Sequence, residues 1–469
     1  MPQDLRSYLK LIEANSEMVR IKKEVDPHGN LGGLAWQGEN KLGKATMFEN
    51  LKGYPGWRAV SYAEASRKRM ALALGCSPQE FIPKLRGLLE QGPTPKVGVP
   101  TGPVKDIIQT GDAIDLTQIP IHTMAVLDAS PYMGGHMAII RDPETGIQNV
   151  SLHRHQVKGK NKLGVMMHPG RHMHMIYQKY EKMGKPMPIA LVGGHHALYY
   201  LASTWTFPFG VDEFEWAGTF LGEPVRTVKG ETVDLDIPAD AETVIEGFVP
   251  PGEREMEGPF TEHTGYARAG AGHNPFMWVT AITRRRDAIY YALQGGRPIA
   301  SSQILDALPM EVVLWNRIKD VGGFVDLKDI VVVPAAGGAH VVVVQLTPQI
   351  QGQVTDVLMA TLSSPYIHPK IAIAVDDDID PHDLKEIIWS ISTRVNPAED
   401  IFIVPGTRGQ HLDASLPLVT PPGTFPDIRV GSKMGIDATK PAITEPDRRA
   451  YFERSFGKGM EFNIEDFLK

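Results

Sequence analysis

A chain of 469 residues, 42% hydrophobic and 22% charged, is long enough for two or three domains with ordinary buried cores. Its formal net charge of −7 gives no general attraction to nucleic acid or anionic membrane, and a single cysteine, Cys76, excludes an intrachain disulfide and a multi-cysteine metal site. No window reaches the roughly 18 apolar residues of a membrane span, and the N-terminal stretch lacks the apolar run of a signal peptide, so a cytoplasmic protein without a membrane span is expected.

In chain order, residues 1–104 read as a small N-terminal α/β domain. An amphipathic helix capped near Asp4 opens it, helical patterns follow at Ala63–Leu74 and Pro78–Leu89, and candidate strands lie at Ala45–Phe48 and Arg58–Ser61. The breakers between Gly92 and Pro103 mark its end. Residues 105–307 read as a mostly β, barrel-like central domain. Met137–Arg141 and Ile147–Val157 flank a turn as a hairpin, and Met277–Thr283 and Ala288–Leu293 flank Arg284–Asp287 as a second pair. Between them lie a helix at His172–Met183 and strands at Pro188–Val192 and Thr243–Phe248. Residues 308–469 alternate as a C-terminal α/β domain: helix Leu308–Val321, strands Asp329–Pro334 and His340–Leu346, helix Ile350–Leu362, strand Lys370–Val375, helix Pro381–Arg394 and strand Ile401–Val404. The tail after Thr420 is rich in breakers and ends in an amphipathic segment, Tyr451–Leu468, suited to docking on a partner subunit. The class is thus α+β / α/β, multidomain.

Nine of the sixteen histidines fall between His122 and His196, which raises the prospect of a metal or anion site there. His168 and His172 lie four apart, but Pro169-Gly170 breaks the helix that an i, i+4 zinc pair needs. Asn149, His172 and Glu213 together offer oxygen, nitrogen and carboxylate ligands that suit Mn²⁺ or Mg²⁺, one of many such sets on spacing alone. Glu257-Gly-Pro-Phe-Thr-Glu262 sets two carboxylates around a Gly-Pro, with Phe260 and Tyr266 to bury the turn. Such a pair can divide one proton unequally, or be a solvated acidic loop. Arg154, flanked by histidines, reads as an exposed strand residue if taken alone. Asp376–Asp380 resembles a metal site but fits better as the cap of the helix starting near Pro381. Val192–His196 reads as a strand-end turn, and Met166, Met167, Met173 and Met175 as core filling.

Taken together, Asn149-Val-Ser-Leu-His-Arg154, the Lys160–Lys162 to Pro169–His172 run, Gly210-Val-Asp-Glu213, the Glu257–Glu262 segment, Trp389–Arg394 and Gly431–Thr439 resemble the UbiD family, reversible decarboxylases that use prenylated FMN. The resemblance runs in order through nearly the whole chain and is weakest in the first 90 residues. It implies a prenylated-FMN-binding, split-barrel-like central domain. Asn149, Val150, Ser151, Leu152, His153, Arg154, Arg171, His172, Glu213 and Lys370 would meet the cofactor. Asn149, His172 and Glu213 would hold Mn²⁺ (or Mg²⁺) against its phosphate. Backbone at Ala202, Ser203 and Trp205 would bind K⁺, with Arg394 close to that site. Arg154, Glu257 and Glu262 would form the catalytic network, Glu262 supplying the proton.

The activity implied is release of CO₂ from an aromatic, heteroaromatic or α,β-unsaturated carboxylic acid. A flavin prenyltransferase would supply the cofactor, and the chain would assemble as a homodimer or homohexamer. A non-catalytic flavin- or metal-binding carrier or subunit is the alternative, although a carrier has no use for the Arg154–Glu257–Glu262 set. A Mn²⁺-dependent hydrolase is a third reading. Arg171, Gly295, Ile304 and the Gln410-His411-Leu412-Asp413 loop are candidates for the substrate pocket. One point stays open: five residues separate Asn149 from Arg154, so on a straight strand they face opposite ways. Either the strand bulges, or the cofactor wraps around its end.

Overall fold

The computed structural model describes residues 4–267, 272–296, 299–321, 324–410, 412–417, 429–458 and 462–468. Two compact units emerge, one built from residues 1–313, 332–340 and 408–431, the other from 314–331, 341–407 and 432–469.

The first unit opens with helix Leu5–Ala14, where the Asp4 carboxylate accepts the Ser7 N–H at 2.9 Å and Leu5, Tyr8, Leu9 and Ile12 form the buried stripe. The later helices start at Arg67, capped by Ser66, and at Phe81, each a few residues after the expected start. Strand Met18–Ile21 and helix Leu31–Leu42 escape the sequence pattern, the helix because Gly32, Gly33 and Gly38 break its apolar spacing.

Strands Met18–Ile21, Ala45–Phe48 and Arg58–Ser61 form a sheet whose fourth member is Ile289–Tyr291, parallel to Arg58–Ser61 with Tyr290 beside Ala59. The expected hairpin across Arg284–Asp287 therefore does not form. All three residues of Ile289–Tyr291 are buried, so the segment carries no alternation that names a partner, and it completes the N-terminal sheet instead.

The other large sheet of this unit runs in the order Lys162–Gly164, Phe276–Arg284, Thr243–Val249, Met187–Gly193, His136–Arg141, Gln148–Leu152, with Ile107–Thr110 also on Phe276–Arg284. Its pairings are antiparallel, and the first expected hairpin is present, Ile140 standing opposite Asn149. Met137 and Ile139 enter one core while Ala138 and Ile140 enter the other, so the sheet is covered on both faces. Helix His172–Met183 follows the sequence reading to the residue; Met167 and Met173 are core, whereas Met175 faces outward.

Helix Ser301–Ile318 begins seven residues before the expected Leu308 and carries Pro309 inside it. A proline has no N–H for the carbonyl four residues back. That carbonyl, on Leu305, accepts the Thr204 hydroxyl at 2.9 Å instead.

In the second unit the sheet order is Asp326–Val332, Val341–Thr347, Ile371–Val375, Arg429–Ala438, Ile401–Gly409, with parallel pairing around Ile371–Val375. Arg429–Ala438 was expected to be irregular tail. Its glycines read as breakers, but the absent side chain of Gly435 is where the Phe402 ring packs. Nor does the Asp376 cluster cap a helix. Asp383 caps Leu384–Arg394, accepting the Lys385 N–H at 2.8 Å, while Asp376 takes two bonds from Arg449 and Asp378 two from Arg394. The tail holds helix Pro446–Ala450 and one turn at Ile464–Asp466, with Tyr451, Phe456, Phe462 and Phe467 exposed. Among the described residues no helix is long and apolar enough to cross a membrane.

His122 and His136 are fully buried and flank the Tyr290 ring at 5.8 and 5.9 Å. Burial pushes each imidazole down to about 3. The unfolded chain takes up these protons near pH 6.5, while the fold resists them until about 3, so between those values the unfolded state binds more protons and stability falls with falling pH. Denaturant titrations should show roughly 2 kcal/mol lost per histidine at pH 5 relative to pH 8, and His136→Gln should lessen that slope.

Candidate active site

Strand Gln148–Leu152 ends before Arg154. His153 and Arg154 form a two-residue break, after which His155–Gln156 pairs with Tyr132–Met133. The alternation that would oppose Asn149 and Arg154 therefore stops at Leu152.

The second contributor is the turn after strand Glu255–Glu257, which pairs with Gly272–Asn274. Gly258 has φ +98°, a left-handed value that a side chain disfavours. The turn is held from two sides. Asp128 Oδ1 accepts the Thr261 N–H at 2.8 Å and Ala129 N–H donates to Pro259 O at 2.9 Å, while Glu262 N–H donates to Tyr266 O at 3.1 Å.

These two segments bring Arg154, Glu257 and Glu262 together. Arg154 Nε and Nη2 donate to Glu257 Oε1 and Oε2 at 3.0 and 2.7 Å, and Nη1 donates to Glu262 Oε1. The Phe260 ring lies 4.8 Å under the guanidinium. Burial works against the arginine's charge, but Glu262 and Glu257 outweigh it and raise its pKa above the ordinary value.

The two carboxylates are not equivalent. Glu257, 1% exposed, takes both arginine bonds and a third from Asn274 Nδ2 at 3.2 Å. The Glu262 side chain is 11% exposed, and its Oε2 takes no hydrogen bond from a described residue. Among the described residues three of the five guanidinium N–H groups are engaged, leaving two for another acceptor.

Asn149 and Glu213 also meet. Asn149 Nδ2 donates to Glu213 Oε1 at 2.7 Å and Val150 N–H to Oε2 at 2.5 Å. Burial pushes the Glu213 carboxyl far up, against those bonds. Asn149 Oδ1 is buried and takes no hydrogen bond from a described residue, so an acceptor stands ready for a cation. His172, the first residue of its helix, lines one recess with Asn149, and burial and then Arg171 lower its pKa. An orphan amide oxygen, a carboxylate and an imidazole fit a divalent ion.

Ser151, Leu152 and His153 lie between the two groups; the Ser151 hydroxyl and His153 Nε2 are 2.8 Å apart, and burial brings His153 down to about 4. Arg171 stands just before the His172 helix, with no capping bond from its side chain, and is exposed. Ala202 and Ser203 close helix Ala197–Thr204, with Trp205 N–H on Ala202 O at 3.2 Å. The last carbonyls of a helix carry negative partial charge that suits a monovalent cation. Lys370 and Arg394 belong to the second unit, Lys370 just before strand Ile371–Val375 with its carbonyl on Met434 N–H, and Arg394 on Asp378. Of the pocket candidates, Gly295 and buried Ile304 are in the first unit, Gln410, Leu412 and Asp413 form a tight turn there, and His411 lies outside the described residues.

Sequence reading missed Asp128, Asn274 and Asp306. Burial raises the Asp306 carboxyl, with the charges of His263 and Arg171 pulling the other way. No local motif marks Asp128 or Asn274, because each reaches the turn from a separate segment.

Family models match most of the chain: the 3-octaprenyl-4-hydroxybenzoate carboxy-lyase N-terminal domain over residues 9–89, its Rift-related domain over 96–298 and its C-terminal domain over 303–438. The chain is similar to the UbiD-class enzyme HmfF from Pelotomaculum thermopropionicum in complex with FMN, at 33% identity over 99% of this chain and 100% of that one, TM-score 0.89. An evolved dimeric form of HmfF in complex with prFMN matches at 32% identity over 99% and 100%, TM-score 0.85. Apo 3,4-dihydroxybenzoic acid decarboxylase (AroY) from Klebsiella pneumoniae matches at 30% identity over 99% of each chain, TM-score 0.88.

Arg154→Met should cost roughly 3–5 kcal/mol of unfolding free energy, because it strands two buried carboxylates. Urea titration would measure it, and a loss under about 1 kcal/mol would mean that another group neutralises them.

Proposed function

Because the chain belongs to the UbiD family of carboxy-lyases, we propose that it reversibly and non-oxidatively decarboxylates an aromatic, heteroaromatic or α,β-unsaturated carboxylic acid with prenylated FMN. The observation that carries this reading is the unequal sharing of Arg154: among the described residues Glu257 takes three donors, whereas Glu262 keeps an oxygen with no hydrogen bond and some access to water.

The residues divide the work accordingly. The two unused N–H groups of Arg154 can meet the substrate carboxylate side by side and aim it at the flavin. Glu257 fixes the guanidinium. Glu262 gives its proton to the carbon that CO₂ leaves, and its solvent access allows the proton to be replaced. Asn149 Oδ1, His172 and Glu213 would hold Mn²⁺ or Mg²⁺ against the cofactor phosphate, and the carbonyl end of Ala197–Thr204, with Trp205, would hold K⁺. Two cations beside a phosphate dianion bring the buried cluster close to neutral, which lowers the cost of removing it from water. The flavin, when bound, supplies the electron sink for breaking the carbon–carboxylate bond. The polar side chain of Arg171 in the proposed pocket favours an acid with a second polar substituent. We also propose the division at 104 and 307, a flavin prenyltransferase as the source of cofactor, and a homo-oligomer as the working form.

Co-expression with a flavin prenyltransferase, an absorption spectrum and a CO₂-release screen of aryl and acrylic acids test the reading. Glu262→Gln should retain the flavin spectrum, bind substrate with KM within about twofold, and lose at least about 100-fold in turnover and in solvent-proton exchange into product. Undiminished exchange would remove Glu262 from the mechanism. Chelation of divalent metal, or Glu213→Ala, should release the flavin.

A further inference from the structure

Asn274 stands in the strand opposite Glu255–Glu257, paired with Glu255, while Glu257 faces Gly272. Gly272 has no side chain, so the Asn274 amide can reach diagonally over it; a Cβ at Gly272 would sit 3.6 Å from Nδ2. The reach ends on Glu257 Oε2 at 3.2 Å, in a position 4% exposed. Only the NH₂ end can face a carboxylate, so this bond fixes the amide's orientation.

That orientation leaves Asn274 Oδ1 buried without a hydrogen bond from any described residue. As a purely structural choice this is a poor one. An apolar side chain of similar shape would fill the space without stranding an acceptor away from water. A local loss of stability confined to a side chain that touches Glu257 points to a gain in the site.

We propose that Asn274 is a positioning residue, locking the Glu257 carboxylate so that Arg154 presents Nη1 to Glu262 and its two spare N–H groups to the substrate. This rests on the roles given above to Arg154 and Glu262. Without Asn274 the carboxylate plane of Glu257 can rotate, the arginine fork rotates with it, and both the proton donor and the substrate contact lose alignment. Asn274 itself exchanges no proton and touches no reacting atom.

Two variants of the flavin-loaded enzyme test it. Asn274→Leu removes the donor together with the stranded acceptor. It should melt at the same temperature as the wild type or higher, with kcat reduced about 10- to 100-fold and KM raised, since the substrate contact of Arg154 is misaligned as well. Asn274→Asp sets a second carboxylate against Glu257, so the pair must share a proton, and the acid limb of the kcat–pH profile should move up by at least about one unit. Asn274→Leu with wild-type kcat, or with melting lowered in step with activity, would overturn the proposal, as would an unmoved acid limb in Asn274→Asp. Should the wild-type holoenzyme release CO₂ from no acid, the decarboxylase reading fails separately. Melting then decides Asn274: a midpoint at or above wild type in Asn274→Leu supports the assignment, and a lower one overturns it.

Discussion

One guanidinium shared by two buried carboxylates is the constraint on which the site depends. A single ion pair at this depth would be of doubtful value, since desolvation can exceed the attraction. Two carboxyl groups and a guanidinium buried together are costlier still unless each bond is well formed. Arg154 meets that demand by giving Glu257 a two-pronged contact and Glu262 a single one. The result is a built-in asymmetry among the described residues: one acid takes three donors, the other a single one.

The scaffold explains how that asymmetry is held. The sheet covered on both faces delivers Asn149 along a rigid strand, and the strand then stops, so Arg154 leaves its plane within two residues. Turn Glu257–Glu262 is tied to the Asp128 loop through Thr261 and Pro259. On its other side, Gln303 Nε2 donates to His263 O at 2.5 Å, binding the start of the Ser301 helix to the residue after Glu262. The groups of the candidate site, on short irregular pieces, are thus pinned by regular elements, which gives precision without putting Arg154 and Glu262 themselves in a helix or strand.

Much of this was legible in the sequence, and the failures share one cause. Helix His172–Met183 and strands Ala45–Phe48 and Arg58–Ser61 carry their own periodicity and turn signals, so they read correctly. The Arg154, Glu257 and Glu262 set was visible because ordered motifs mark it. By contrast, Ile289–Tyr291 and Arg429–Ala438 take their places from partners remote in sequence, which local pattern does not encode. The helix was expected to start only at Leu308, beside Pro309, because the Thr204 hydroxyl that repairs the missing bond is 101 residues away from the acceptor Leu305. Asn274 and Asp128 escaped for the same reason: an amide or a carboxylate acquires a role only when folding brings Glu257 or Thr261 to it.

The parallel pairing of Ile289–Tyr291 with Arg58–Ser61 also bears on how the polypeptide is made. Strands Met18–Ile21, Ala45–Phe48 and Arg58–Ser61 are translated well before the strand that the rim of their layer awaits. Ala292 N–H must reach Val60 O, and Ser61 Oγ must reach Ala292 O, across more than two hundred residues of intervening chain. Closing so long a loop is slow, so the amino-terminal segment spends much of synthesis with an apolar border exposed. The Glu257–Glu262 turn is made only about thirty residues earlier in translation, which puts completion of the amino-terminal layer and assembly of the candidate site at nearly the same moment.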